Sequence, residues 1–98
     1  MKIKLSSDVS AEIKQLKLRD PKLAAKAEKQ LALFAQNPKH PSLRTHKLTG
    51  KIEDRWSISI TKSIRMVYVV IEGQEENEEP TAYFVAIGTH DQVYRDKK

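Results

Sequence analysis

Five residues of this sequence have the types needed to move protons and bind phosphate: His46, Arg65, His90, Asp91 and Tyr94. Three of them crowd the stretch "IGTHDQVYR", in which an apolar run ends at a glycine and a histidine, an aspartate and a tyrosine follow. Histidine near its ordinary pKa can take or give a proton, and arginine supplies a fixed planar charge for phosphate oxygens. Tyrosine can stack on a base, hydrogen-bond a phosphate, or trade a proton if its pKa is lowered. The chemistry this set matches is metal-free phosphodiester cleavage. RNA carries its own nucleophile, the 2′-hydroxyl, so a protein needs only to deprotonate it, neutralise the phosphorane and protonate the departing 5′ oxygen.

Other chemistries fit less well. The sequence has no cysteine, which excludes disulfides and thiolate metal sites. Its three histidines have no carboxylate at ligand spacing, so no metal and no cofactor is expected. No Ser/His/Asp order stands out.

The charge balance points toward a polyanion. The formal net charge is +5, and five of the thirteen acids sit in the one segment "EGQEENEEP". The remainder is therefore far more basic than the total suggests, which suits RNA, DNA or an acidic protein as partner, or simply a lysine-rich solvated surface. A basic stretch, "KHPSLRTHKLTGKIEDR", carries Lys39, Arg44, Lys47, Lys51 and Arg55 with His40 and His46, against only Glu53 and Asp54. It reads either as a phosphate-contacting strip or as a solvated connection. Lys62 adds a further cation in the turn before Arg65.

The elements that must position these groups are legible from pattern. The 98 residues are expected to form a single domain, 1–98. "MKIKL" alternates as a half-buried strand does. A helix follows, with Ser7 or Asp8 as cap and Val9, Ile13 and Leu16 on one face. Asp20 caps a second helix with Pro21 in its first turn, and Leu23, Ala27, Leu31 and Phe34 form the apolar stripe until Asn37-Pro38 ends it. So tight a junction predicts an antiparallel helical hairpin. "RWSISIT", "IRMVYVVI" and "TAYFVAIG" then predict a three-strand antiparallel meander packed on the helices, an α+β fold.

Register decides which residues meet. A two-residue turn at Lys62-Ser63 would set Ile60 opposite Arg65 and mix charge into the core face. A three-residue loop, Thr61 to Ser63, instead pairs Trp56, Ile58 and Ile60 with Tyr68, Met66 and Ile64. That register puts Trp56 and Tyr68 in the core. It leaves Arg65 with Ser57 and Ser59 on the face away from the helices, which is either a solvated surface or a concave site. A cation on such a face is expected to contribute little to stability. The acidic segment, 72–80, reads as a solvated connection or as a phosphate mimic competing for cations near Lys47 or Lys51.

The segments "HPSLRTHKLTGKIEDRWSISITKSIRMVYVV" and "AIGTHDQVYR" resemble the RelE/ParE superfamily of bacterial toxins, and most of all its RelE and YafQ-like branch. The resemblance covers nearly the whole chain. It implies a small RelE-like fold and the toxin of a type II toxin–antitoxin system, an endoribonuclease that cuts mRNA on the ribosome and is silenced by a cognate antitoxin. By position it implies catalytic roles for His46, Arg65, His90 and Tyr94. Arg44, Lys47, Lys51, Arg55 and Lys62 would contact RNA, with Lys47 and Lys51 lying where RelE-like enzymes place lysines. The pattern departs at Ser59 and Ser63, where YafQ-like sequences have a histidine and an aspartate, and at His90, near which RelE-like ones have an arginine. The superfamily also holds ParE toxins, which inhibit DNA gyrase. A non-catalytic interaction module, gyrase-directed or only antitoxin-binding, is therefore the alternative. The amino terminus has no apolar run of signal-peptide length and no stretch long enough to cross a membrane, so a cytoplasmic protein is expected.

Overall fold

The computed structural model describes residues 1–48, 55–89 and 92–93. Strand β1 (Lys2–Leu5) leads into helix α1 (Ser7–Arg19) and helix α2 (Pro21–Gln36). A 3-10 turn, Pro41–Leu43, precedes the short strand β2 (His46–Lys47), and β3 (Arg55–Ser59), β4 (Ile64–Ile71) and β5 (Thr81–Thr89) complete a five-stranded sheet. The strand order is β1-β5-β4-β3-β2, with β1 parallel to β5 and the other pairs antiparallel.

The helices start where their caps dictate. Ser6, not Ser7 or Asp8, caps α1, its Oγ accepting from the Val9 N–H at 3.1 Å. The Ser6 N–H is already donated to the Phe84 carbonyl at 2.9 Å, so Ser6 continues the β1 ladder in extended backbone and the helix begins just after it. Asp20 caps α2 as expected, accepting from the Leu23 N–H at 3.2 Å, with Pro21 in the first turn where no N–H is missed. Asn37 closes the helix.

One sheet face meets the helices. Val9, Ile13, Ala27, Leu31 and Phe34 pack there against Ile58, Ile60, Met66, Tyr68, Ala82 and Phe84. The α2 stripe is Ala24, Ala27, Leu31 and Phe34, while Leu23 is only partly buried. Phe34, Tyr68 and Phe84 form an aromatic triangle with ring centroids 4.9 to 5.5 Å apart, the packing that aromatic quadrupoles favour.

The β3–β4 register is the one the segregated faces require. Trp56 lies opposite Tyr68, Ile58 opposite Met66, Ser57 opposite Val67 and Ser59 opposite Arg65. Two features exceed the expected strand and three-strand meander. The N-terminal strand joins the sheet beside β5, and His46 and Lys47 form the edge strand β2 rather than a loop. Two residues of pairing are too few for any periodic signal.

Candidate functional site

Residues directly opposite in a sheet share a face. His46 pairs with Ser57, Ser57 with Val67, and Ser59 with Arg65, so His46, Ser57, Ser59 and Arg65 lie on the face away from the helices. Arg65 in turn faces Gly88 of β5. The sheet thus gathers one imidazole and one guanidinium around Ser57, from segments far apart in sequence.

The Arg65 side chain is held on two sides. Its Nε donates to Ser57 Oγ at 2.9 Å, and an Nη2 hydrogen is donated to the Arg44 carbonyl at 2.7 Å. A longer contact at 3.5 Å reaches the Ser57 carbonyl. The two N–H groups of Nη1 make no hydrogen bond among the described residues. A guanidinium fixed in this way presents its remaining fork to an anion with little rotamer entropy left to lose. Arg44 itself adopts left-handed backbone, with φ at 47° and ψ at 51°, which aims its carbonyl at Arg65. The Ser59 end is anchored from below, because Gln30 Nε2 on α2 donates to the Ser59 carbonyl at 2.9 Å.

The face is not the open surface that alternation alone suggests. Val67, Leu48 and Val93 form a second apolar cluster across its middle, bordered by Val85 and Ala86. Ser57 and Val67 beneath it are 0% and 1% exposed. Arg65 sits at the rim of this cover, half-buried, and His46 is exposed. Nor is Arg65 a bystander to stability, since it ties the 44–46 segment to β3. The cover and the tether of Arg65 to the Arg44 carbonyl both rest on contacts distant in sequence. Leu48 and Val93 reach Val67 over long sequence distances, and no local pattern announces such a contact.

The last strand ends in a capping box. The Thr89 N–H donates to Gln92 Oε1 at 2.8 Å, and the Gln92 N–H donates to Thr89 Oγ1 at 3.3 Å. This starts the helical pair Gln92–Val93 and lays Val93 on Val67. The spacing of threonine and glutamine in "THDQ" was the available sequence signal. His90, Tyr94 and Lys51 lie outside the described residues. Of the remaining expected contacts, Arg55 shares the Arg65 face but pairs with Val69, further along the strands. Lys62 is exposed in the turn beside the Ser59–Arg65 pair. Lys47 falls on the opposite face, its Nζ 5.7 Å from the centroid of the Trp56 ring. Among the described residues no cluster of three or more His, Cys, Asp or Glu could hold a metal ion.

A helical hairpin on one face of a mixed sheet, with the first strand parallel to the last, is the α+β RelE-like fold. No protein-family model matches the sequence, and no curated protein matches it at a significant level. Solved structures do match. A YoeB/ParE toxin from Agrobacterium tumefaciens aligns with a TM-score of 0.72 at 19% identity, covering 92% of this chain and 99% of its own. YafQ from E. coli gives a TM-score of 0.68 at 16% identity, covering 96% and 98%. The YoeB–YefM complex from Staphylococcus aureus gives 0.68 at 19% identity, covering 92% and 97%. The chain is thus similar in fold, over nearly its full length, to toxins of the RelE/ParE superfamily.

Proposed function

We propose that this protein is the toxin of a type II toxin–antitoxin pair, a cytoplasmic mRNA endoribonuclease that acts on the ribosome. The observation that supports this reading is Arg65, held rigid by Ser57 and the Arg44 carbonyl with His46 on the same face. In cleavage the 2′-oxygen attacks the adjacent phosphorus and the bond to the 5′ oxygen breaks. The products are a 2′,3′-cyclic phosphate and a free 5′-hydroxyl. Arg65 neutralises the charge that gathers on the phosphorane oxygens, where a preorganised cation acts most strongly. His46 takes the proton of the 2′-hydroxyl or returns one to the 5′ oxygen. The resemblance assigns the complementary proton transfer and base stacking to His90 and Tyr94, and further phosphate contacts to Arg55, Lys51 and Lys62. The silencing partner is an antitoxin, as YefM is present with the S. aureus YoeB.

Primer extension on translated mRNA after induction, run beside a gyrase supercoiling assay, tests the proposal. New cleavage sites within codons, lost on Arg65→Ala, are the expected result. Lost supercoiling with intact mRNA would overturn it in favour of a gyrase-directed interaction module.

A further inference from the structure

The chemistry above does not use the cavity beside Trp56. It has a volume of about 420 Å³ and lies where the 38–45 segment meets β3, bounded by Pro38, Lys39, His40, Pro41, Arg44 and the Trp56 ring. That volume falls within the range of small-ligand sites, which begins at about 300 Å³. None of its described lining residues is acidic. Trp56 is not merely a core residue. It is partly buried against the apolar cluster and also lines this cavity. The Lys47 ammonium, which does not line the cavity, lies 5.7 Å from the centroid of the same ring and engages it from outside the cavity.

The walls are preorganised. The Ser42 N–H donates to His40 Nδ1 at 3.1 Å and the Arg44 N–H donates to the Pro41 carbonyl at 3.1 Å, which fixes the 3-10 turn that begins at Pro41. Arg44 is shared with the Arg65 site: its carbonyl accepts from Arg65, and the residue also lines the cavity. An aromatic ring beside Lys39 and Arg44, with no carboxylate among the described lining residues, is an arrangement that suits an unpaired nucleotide, base on the ring and phosphate on the cations.

We propose that this cavity is a stacking subsite for one unpaired RNA nucleotide, its base against Trp56 and its phosphates on Lys39 and Arg44. The inference rests on the RNA-cleaving reading and extends it. Single-stranded RNA passing over the β2 edge would contact Trp56 on one side and Arg65 on the other.

Trp56 is the sole tryptophan of the chain, so tryptophan fluorescence reports on this one residue. The full-length protein is titrated with a short single-stranded 2′-O-methyl RNA, which lacks the nucleophile, and with inorganic polyphosphate as a charge-only control. Binding is followed in parallel by the anisotropy of labelled RNA. The subsite predicts saturable quenching by the RNA, little quenching by polyphosphate, and a salt slope lowered by about one in Lys39→Gln. Trp56→Leu should weaken RNA binding roughly 5- to 150-fold, the value of one base–aromatic stack. Because Trp56 also packs on the core, the quenching and Lys39→Gln measurements carry the test without disturbing it. RNA binding with unchanged Trp56 emission, or equal quenching by polyphosphate, would overturn the subsite while leaving mRNA cleavage intact. No RNA binding by anisotropy would likewise overturn the subsite, whereas the cleavage reading stands or falls on primer extension with translated mRNA.

Discussion

Arg65 serves two ends with one side chain. Its Nε and Nη2 hydrogens hold Ser57 and the Arg44 carbonyl, and its Nη1 end, without a hydrogen bond among the described residues, is the end the proposed cleavage turns to phosphate. Arg65→Ala is therefore expected to abolish cleavage and also to cost about 1.5–3 kcal/mol in urea unfolding, the range for hydrogen bonds to a charged group. Arg65→Lys keeps the charge but has a single nitrogen, which cannot reach Ser57 Oγ and the Arg44 carbonyl together. It should recover part of the stability and little of the rate. A variant that cleaves like wild type would remove Arg65 from the site.

At the scale of elements, two end-of-strand devices have measurable consequences. Gly88 faces Arg65 across β4–β5, and a Cβ placed there would lie 2.5 Å from Gln92 Oε1 and 3.2 Å from Gln92 Cβ. Gly88→Ala should displace the Gln92 side chain, break the Thr89 capping bond and loosen Val93 from Val67, at about 0.5–2 kcal/mol. In a Gln92→Ala background the same substitution should cost less, a non-additivity that a double-mutant cycle reads directly. The acidic segment is organised as well as charged. Glu78 Oε1 accepts from the Gln74 and Glu75 N–H groups at 2.9 and 3.2 Å, and its other oxygen lies 3.8 Å from Lys2 Nζ. The Glu75 and Gln74 N–H groups, with a smaller effect from Lys2, hold the Glu78 carboxyl below its ordinary pKa. A depressed folded pKa means that this closure persists above the ordinary carboxylate range and fails as pH falls through the lowered value. The Gln74 and Glu75 amide signals should accordingly titrate with a midpoint below about 4.3, the usual glutamate value. The contact with Lys2 engages Glu78 at the β1 edge, whereas Lys47 is on the β2 edge. Four strand spacings of about 4.8 Å put those edges roughly 19 Å apart, beyond the screening length of about 10 Å at 0.1 M salt. Glu78 is thus poorly placed to mimic phosphate at Lys47.

For the whole molecule, the aromatic triangle sets an alkaline limit. Burial pushes the Tyr68 phenol up to about 12. The unfolded chain releases this proton near pH 10 while the folded one keeps it, so the folded state binds more protons between those values. The contribution is fully present below about pH 10 and is lost as pH rises toward 12. Tyr68→Phe keeps the ring contacts with Phe34 and Phe84 and should flatten the fall in unfolding free energy over that window, while neutral-pH stability changes by about 1 kcal/mol or less. An unchanged alkaline slope would assign the fall to other groups.

Much of this architecture follows from local pattern. Asp20, Pro21 and Asn37 bound α2 because capping and the missing proline N–H act within one turn. The pairing of Trp56 with Tyr68 and of Ser59 with Arg65 was legible because a one-residue slip would put Arg65 into the core face. The placement of Arg65 and the two serines on the far face follows from that register alone. Other features needed the chain to close on itself. Ser6 rather than Ser7 or Asp8 caps α1 because the Phe84 carbonyl holds its N–H. His46 and Lys47 divide between opposite faces because they pair with Ser57 and Trp56, so only His46 joins Arg65. The cover of Leu48 and Val93 over Val67, and the Arg44 carbonyl that fixes Arg65, are likewise long-range contacts. Periodicity records which face of an element is apolar. It does not record which distant residue arrives there, because that depends on the three-dimensional path of the chain between them.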